Sequence, residues 1–377
     1  MKYQWFTLIM VALLVVACGK DDTTTTPNPT GGGNAQTATK LIQDEFDGLP
    51  LVIVGSSSAN YMLAFERELP DGSMLQFEAL NQAYPAIMGD QEGNRWNVFG
   101  RAISGPRKGQ QLKPAHSYIG FWFAWGTMYP GVELYEGPAY SGDFRQEEPA
   151  EDWAIPTANV FSSVGLDGIP AVDEPVFETF NNRDAIENGY FVEDDELVIG
   201  IQMNDEIHLY PHSILNWHEI VNDQLGSTYF AMSFCPLTGT AIAWNRELDE
   251  GVTTFGVSGL LYNSNVMPYD RLTTSVWSQM REDCVRGDLI GRNWTTYPVV
   301  ETTWATWKRL LDSPNVLTRA TGFNKDYDTN PYQDYISDNN FLAFPIEFMD
   351  DRVPSKERVL GVIVNGKAKV YRFQDFQ

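Results

Sequence analysis

The chain has 377 residues, and its 26 lysines and arginines stand against 50 aspartates and glutamates, a formal net charge of −24. Hydrophobic residues make up 43% and aromatic residues 13%, which is enough for a packed core and excludes a wholly disordered chain. A surface this acidic repels nucleic acid and anionic lipid. We therefore expect no nucleic-acid partner, and contact with a membrane would require an anchor.

The first residues predict export. Lys2 precedes an apolar run at 6–17, which is too short to span a bilayer as a stable helix and is typical of a signal peptide. Val15-Val16-Ala17-Cys18 resembles the lipobox of bacterial lipoproteins. We expect a signal peptide at 1–17, cleavage before Cys18 and membrane attachment through lipid, palmitate included, on that cysteine. The alternative is an ordinary secretory signal that happens to contain a cysteine.

The residues after Cys18 predict where the protein is held. Gly19-Lys20-Asp21-Asp22 resembles the acidic signal that sends lipoproteins of Bacteroidota-type bacteria to the cell surface. The stretch that follows is rich in threonine, proline and glycine, so 18–40 is predicted to be a flexible tether. We expect a lipid-anchored outer-membrane protein displayed at the cell surface; a periplasm-facing anchor is the alternative.

The body of the chain repeats itself. Two blocks share an ordered set of residues, and two later segments share another at a constant offset of 161. The first set pairs Asp90, Trp96, Gly105, Gly109, Trp122 and Trp125 with Asp270, Trp277, Gly287, Gly291, Trp304 and Trp307; the second pairs Gly200, Asn204 and Tyr210 with Gly361, Asn365 and Tyr371. These matches predict an internal duplication.

We predict an α+β, β-rich fold of two related modules, each made of strands plus a short tryptophan-rich helix. The modules are expected at 41–150 and 151–377, separated by the acidic, proline-containing segment 142–156. Thr302 or Thr303 could cap the last of the predicted helices. The strands are predicted at 74–80, 197–203, 206–210, 228–234, 240–246, 359–364 and 367–372, and the helices at 117–128, 214–222 and 302–312.

Groups capable of chemistry are concentrated in the second module. Three of the four histidines, His208, His212 and His218, lie in one window with Cys235, and a polar insert at 254–265 has no counterpart in the first module. This window is the predicted site.

The same window resembles a known family, the bacterial domain-of-unknown-function 3179 family. The residues that carry the resemblance are 167–171, the run Y-P-H-S-I-L-N-W-H-E-I-V-N-D at 210–223, Cys235-Pro236-Leu237, 239–241, 255–259, Asp270-Arg271 and 277–279. The resemblance implies an exported or envelope-associated protein and brings no established activity. Many members resemble C-P-L-C at the cysteine, whereas this chain has Thr238 in the second position, which argues against obligatory dithiol chemistry.

Two familiar hydrolase motifs are approached and missed. On a helix at 214–222, His218 and Asn222 would share a face, as would Glu219 and Asp223. Asn222 stands where zinc hydrolases have a second histidine, so the metalloprotease interpretation fails. In Gly256-Val257-Ser258-Gly259 the second glycine comes one residue too early for a nucleophile elbow. His212, Asn222, Ser258 and Gly259 remain candidate ligand-binding residues.

Cys235 permits three interpretations. It could be a buried structural cysteine, a copper or zinc ligand together with His212 and His218, or a thiol nucleophile or redox centre supported by His218, Glu219 and Asp223. Cys284 falls in an apolar slot of the repeat, and a disulfide between Cys235 and Cys284 is a further possibility in an oxidising compartment. We expect a binding or interaction module with a Cys/His-lined pocket for a metal or small ligand; the alternative is a Cys235 enzyme.

Overall fold

The computed structural model describes residues 38–142, 148–181 and 190–377. The predicted signal peptide, the lipidation site Cys18 and nearly all of the predicted tether lie outside these residues. Gln36–Gln377 forms one compact unit. The ordered body begins slightly before the predicted tether end at 40, because Thr39 is buried and its hydroxyl bonds to the Tyr61 hydroxyl at 2.9 Å.

The fold is β-rich with a few short helices, as predicted. The strands of the first part are β1 (Lys40–Phe46), β2 (Leu49–Ser56), β3 (Tyr61–Glu66), β4 (Phe77–Ala79), β5 (Ala86–Asp90), β6 (Arg95–Asn97), β7 (Ala102–Ser104), β8 (Ser117–Phe121), β9 (Glu133–Leu134), β10 (Val160–Ser162), β11 (Phe177–Thr179), β12 (Leu197–Met203) and β13 (Glu206–Pro211). Those of the second part are β14 (Ile220–Leu225), β15 (Thr228–Cys235), β16 (Thr240–Asn245), β17 (Glu247–Leu248), β18 (Gly251–Val252), β19 (Phe255–Tyr262), β20 (Asn265–Asp270), β21 (Val276–Ser278), β22 (Asp283–Arg286), β23 (Thr296–Tyr297), β24 (Val300–Thr303), β25 (Asn315–Leu317), β26 (Arg358–Val364) and β27 (Lys367–Arg372). The helices are α1 (Trp122–Met128), α2 (His212–His218), α3 (Trp304–Leu310) and α4 (Gln333–Ser337), and a 3₁₀ helix (Phe373–Phe376) follows β27.

The same arrangement of strands occurs in both parts of the chain. The antiparallel meander β1-β2-β3 corresponds to β14-β15-β16, and the small sheet β4-β5-β6-β7 corresponds to β19-β20-β21-β22. Even the turns match, since Asn60 between β2 and β3 and Gly239 between β15 and β16 both have positive φ, 57° and 63°. In each small sheet a buried aspartate accepts a hydrogen bond from a tryptophan: Asp90 from Trp96 at 2.8 Å and Asp270 from Trp277 at 3.1 Å.

The hairpins cross between the two parts. Strands β8 and β9, which flank α1, are bridged by the C-terminal hairpin β26-β27, in the order β8-β26-β27-β9. Strands β24 and β25, which flank α3, are bridged by the earlier hairpin β12-β13. Each tryptophan-bearing helix is therefore completed by a hairpin from the other part of the chain, and the predicted modules 41–150 and 151–377 share sheets.

Glycines in the exchanged hairpins explain the buried tryptophans. A Cβ on Gly361 would lie 2.2 Å from the Trp125 ring, and one on Gly200 would lie 2.5 Å from the Trp307 ring. Only glycine lets these strands pass so close to the indoles. The predicted cap of the third helix is confirmed at Thr303, whose hydroxyl accepts a hydrogen bond from the Thr306 amide.

The helix predicted over 214–222 is wrong at both ends. Helix α2 spans His212–His218, and Glu219 adopts the left-handed conformation with φ 57°. The chain then enters β14, because Ile220 and Val221 are β-branched and pair with β15. Asn222 and Asp223 therefore lie on a strand and share no helix face with His218 or Glu219.

The helix predicted over 117–128 is correct only in its second half. Residues 117–121 form β8, which pairs with β26 from the far end of the chain. Among the helices that the structure describes, none has the length and apolar character needed to cross a membrane.

Candidate functional site

His218 is held by two hydrogen bonds. Its Nδ1 lies 2.7 Å from the Pro170 carbonyl and its Nε2 lies 2.7 Å from the Tyr327 hydroxyl, and burial lowers the pKa of the ring. With Nδ1–H donating to the carbonyl and Nε2 accepting from the tyrosine, both nitrogens of the neutral ring are occupied. His218 thus ties helix α2 to two loops in this structure, and it is turned toward them.

Asn222 and Asp223 hold strands together. The Asn222 amide accepts from the Phe255 N–H at 2.8 Å and donates to the Phe255 carbonyl at 2.8 Å, so it fixes the start of β19. The Asp223 carboxylate lies 2.7 Å from His208 Nδ1 and accepts from the Tyr210 hydroxyl at 2.5 Å.

The Asp223 arrangement has a counterpart in the first part of the chain. There Asp44 accepts hydrogen bonds from Lys369 and from the Tyr371 hydroxyl, the latter at 2.8 Å. In both places an aspartate on the first strand of a meander holds the last strand of a hairpin. Asp223 therefore has a structural task of its own, whatever chemistry it might also serve.

Ser258 and Gly259 form a β-bulge between β19 and β20, where the register shifts between Val257 and Leu260. The Ser258 hydroxyl donates to the Met267 carbonyl at 2.5 Å and accepts from the Leu260 amide at 3.0 Å. Gly259 has φ +78°, and a Cβ there would lie 2.0 Å from the Val164 carbonyl oxygen. These contacts account for both residues by backbone geometry.

Cys235 and Glu219 are neighbours. Burial raises the pKa of the Cys235 thiol to about 11, and the nearby Glu219 carboxyl raises it further. Burial alone raises the pKa of Glu219 to about 8. Tyr332 and Tyr335 cover the pair, and the Tyr335 hydroxyl donates to the Leu237 carbonyl at 2.9 Å. At neutral pH this is a thiol beside a carboxylic acid, the opposite of an activated thiolate.

Cys235 and Cys284 are both buried and unpaired, so the suggested disulfide between them is wrong. The Thr238 side chain makes a hydrogen bond to the Cys235 thiol, which places the second position of the C-P-L-T turn beside the cysteine. No group of three histidine, cysteine, aspartate or glutamate side chains within residues 38–142, 148–181 and 190–377 is placed to hold a metal ion. The predicted copper or zinc set of Cys235, His212 and His218 is not assembled here.

A cavity of about 360 Å³ lies where the two parts of the chain meet. Its wall comes from β3, β8 and β24 with Ala241 of β16 and Leu360 of β26, and most of it is apolar. Polar residues stand at the outer part, where Asn204 is exposed and Gln202 is half-buried. Glu301, which is only 4% exposed, is the acidic residue in the wall.

Glu301 belongs to a buried polar cluster with Asn60, His212 and Arg358, the central polar cluster. Arg358 donates to Glu301 Oε1 at 2.5 Å and to the Asn60 side-chain oxygen at 2.6 Å. His212 Nε2 lies 3.7 Å from Glu301 Oε1, and its ring packs against Phe234 with centroids 4.1 Å apart. Burial lowers the pKa of His212 to about 3, helped by the Arg358 charge, so this histidine is neutral.

Hydrogen-bonding capacity is left over in the central polar cluster. Glu301 Oε2 and His212 Nε2 are buried and have no hydrogen-bond partner among the described residues. Burial raises the pKa of Glu301, while the Arg358 charge opposes that rise. An unsatisfied buried polar atom costs about 1–3 kcal/mol, so a molecule that supplied the missing partners would bind with that advantage.

Of the central polar cluster, the sequence indicated His212 alone. Asn60, Glu301 and Arg358 come from three distant segments, and no motif links them. A signal was nevertheless present in the repeat: Glu301 corresponds to Ile119 and Arg358 corresponds to Leu197, so the alignment changes from apolar to charged at both positions.

Comparison with known proteins gives a family and nothing more specific. The family model described as "Protein of unknown function (DUF3179)" matches residues 32–132 and 166–377. No curated protein and no solved structure matches the chain. The segment between the two matched ranges includes the predicted boundary near 150.

Proposed function

We propose that this chain, which belongs to the DUF3179 family, is a small-ligand-binding protein and that the cavity between its two parts is the binding site. The observation that carries the proposal is Glu301, a buried carboxyl with an unpartnered oxygen in the wall of an otherwise apolar cavity. Small-molecule sites usually combine an apolar lining with a few placed polar groups, and they enclose about 300–1,000 Å³. The cavity at 360 Å³ lies within that range.

We further infer that the chain is an internal duplication with exchanged hairpins. The repeating unit would run from β1 to α2 and again from β14 to the final 3₁₀ helix, which differs from the predicted division near 150. The matched backbone contacts support this: the Trp122 amide donates to the Glu357 carbonyl at 2.9 Å, and the Trp304 amide donates to the Glu196 carbonyl at 2.8 Å. These pairs keep the same offsets as the sequence repeats, 182 for the tryptophans and 161 for the glutamates.

The cellular setting is part of the proposal. We place the protein at the cell envelope, anchored through lipid on Cys18 and most simply displayed at the cell surface, on the strength of the lipobox-like sequence before Cys18 and the acidic residues after it. A tethered binding domain captures or presents a ligand close to the membrane. The enzyme alternative built on Cys235 is less favoured, because the raised pKa keeps that thiol protonated.

The test of ligand binding uses an environment-sensitive apolar dye, N-phenyl-1-naphthylamine, and a variant that fills the cavity. Val299 lines the cavity and is half-buried, so Val299→Trp should occupy the space. The matched control is Val252→Trp, at an exposed position outside the cavity wall. We expect the wild type and the control to bind the dye with 1:1 stoichiometry and Val299→Trp to lose binding.

Circular dichroism and thermal unfolding would establish that all three proteins are folded. Equal dye binding by wild type and a folded Val299→Trp would refute the cavity as the site. No saturable binding by the wild type would count against the proposed function itself.

A further inference from the structure

The central polar cluster has an apolar counterpart in the same molecule. Strand β24 pairs with β12 and strand β8 pairs with β26, in the same register. Ile199 therefore faces Glu301 in one sheet as Leu360 faces Ile119 in the other. By these offsets Asn60, His212, Glu301 and Arg358 correspond to Gly239, Phe373, Ile119 and Leu197.

The counterpart shows what folding requires at these positions. With Ile119, Leu197 and Phe373 the same strand pairing, turn and hairpin form without any charge. Replacing a buried ion pair with packed apolar residues is often neutral or stabilising. The charged version is therefore a poorer choice for stability alone, and its presence on one side only points to a task other than folding.

The free valences of the cluster define what can bind. Arg358 already occupies Glu301 Oε1 and offsets the carboxylate charge, so the cluster lacks a hydrogen-bond donor for Oε2. The neutral His212 adds Nε2, a second atom without a partner. A hydroxyl or amino group donates to a carboxylate oxygen, whereas a ligand carboxylate or an ether brings no proton to donate.

We propose that the central polar cluster recognises an apolar molecule with a hydroxyl or amino group at one end, which donates a hydrogen bond to Glu301 while its apolar body fills the cavity. This inference rests on the proposed function, since it assigns the ligand class of the same cavity. Arg358 and Asn60 act as positioning residues: they hold Glu301 Oε1 so that Oε2 is left for the ligand.

The experiment measures displacement of N-phenyl-1-naphthylamine by four ten-carbon compounds: decan-1-ol, decylamine, decanoate and the methyl ether of decanol. A hydrogen bond to a charged group changes affinity by about tenfold or more, so we expect the alcohol and the amine to bind at least about tenfold more tightly than the ether and decanoate. The variant is Glu301→Ile with Arg358→Leu, which installs the residues of the apolar counterpart. The matched control is Glu250→Ile with Arg292→Leu, an ion pair outside the cavity wall.

The double variant should still bind the dye, and its preference for the alcohol and the amine should fall to within about twofold of the ether. The control should keep the wild-type preference. If the double variant fails to fold, Glu301→Gln provides the same test, because it puts an amide donor where the free acceptor was and should weaken decylamine by about tenfold.

An unchanged preference in the folded variants would overturn the ligand class while leaving dye binding, and hence the proposed function, intact. Tighter binding of decanoate than of decanol by the wild type would also overturn it. Failure of the proposed function looks different, because the dye would then not bind in the cavity at all.

Discussion

Glu219 should make the protein less stable as the pH rises. Its carboxyl is 5% exposed, and no hydrogen bond to it occurs within the described residues, so the folded protein holds it as a neutral acid. In the unfolded chain the group ionises near its ordinary pKa of 4.5, whereas burial raises its pKa in the fold to about 8. Between these values the folded state binds one more proton than the unfolded state, and stability must fall with rising pH.

The size of the effect follows from the two pKa values. Each pH unit between them is worth about 1.36 kcal/mol, so the free energy of unfolding should be lower at pH 9 than at pH 4.5 by about 3–5 kcal/mol from this residue alone. Below pH 4.5 the carboxyl is protonated in both states and contributes no pH dependence. Above pH 8 it is ionised in both states, and the loss is complete.

The assay is urea unfolding of the wild type and of Glu219→Gln at intervals from pH 5 to pH 9. The glutamine has nearly the same shape and cannot ionise, so the variant should gain stability relative to the wild type as the pH rises, by about 3 kcal/mol or more over this range. Glu206→Gln, at an exposed position, is the control and should track the wild type. Parallel curves for wild type and Glu219→Gln would refute the reasoning, because they would mean that Glu219 is solvated or paired in the folded protein.

Two further outcomes are expected from the packing. Gly361→Ala should lower the free energy of unfolding by about 1–3 kcal/mol, because its Cβ would lie 2.2 Å from Trp125, whereas Gly165→Ala, with open space around it, should change it by less than about 0.5 kcal/mol; urea unfolding distinguishes the two, and equal effects would contradict the close contact. The Cys235 thiol, with its pKa raised to about 11, should resist iodoacetamide at pH 8 in the folded protein and react in urea, as mapped by mass spectrometry; rapid alkylation of folded protein would revive the nucleophile hypothesis.

Hairpins were the elements most readable from the sequence. The strand pairs predicted at 197–203 and 206–210 and at 359–364 and 367–372 match β12-β13 and β26-β27 almost residue for residue, since each carries its own turn signal at Asn204 or Asn365. Residues 117–121 look helical in isolation, and only pairing with β26 makes them a strand. The partner of each hairpin could not be predicted, because the choice between neighbouring and exchanged hairpins depends on contacts far apart in the chain.

The candidate site was only partly readable. The histidines and the cysteine drew attention by their residue types, yet His218 is occupied by Pro170 and Tyr327, and Cys235 is covered by tyrosines. The left-handed conformation of Glu219 is uncommon for a residue with a side chain, and it turns the chain from α2 into β14, so a helical spacing argument failed there.

The exchange of hairpins and the position of the cavity are connected. Since each tryptophan helix packs under a hairpin from the other part of the chain, neither part has a complete core without the other. The cavity wall likewise draws on both parts, with β3 and β8 on one side and β24 on the other. A ligand that binds there contacts both parts only when they are assembled, so it should stabilise the whole compact unit by mass action. Duplication supplied two apolar corners, of which one suffices for folding; charge at the other corner provides specificity that a symmetric apolar cavity would lack.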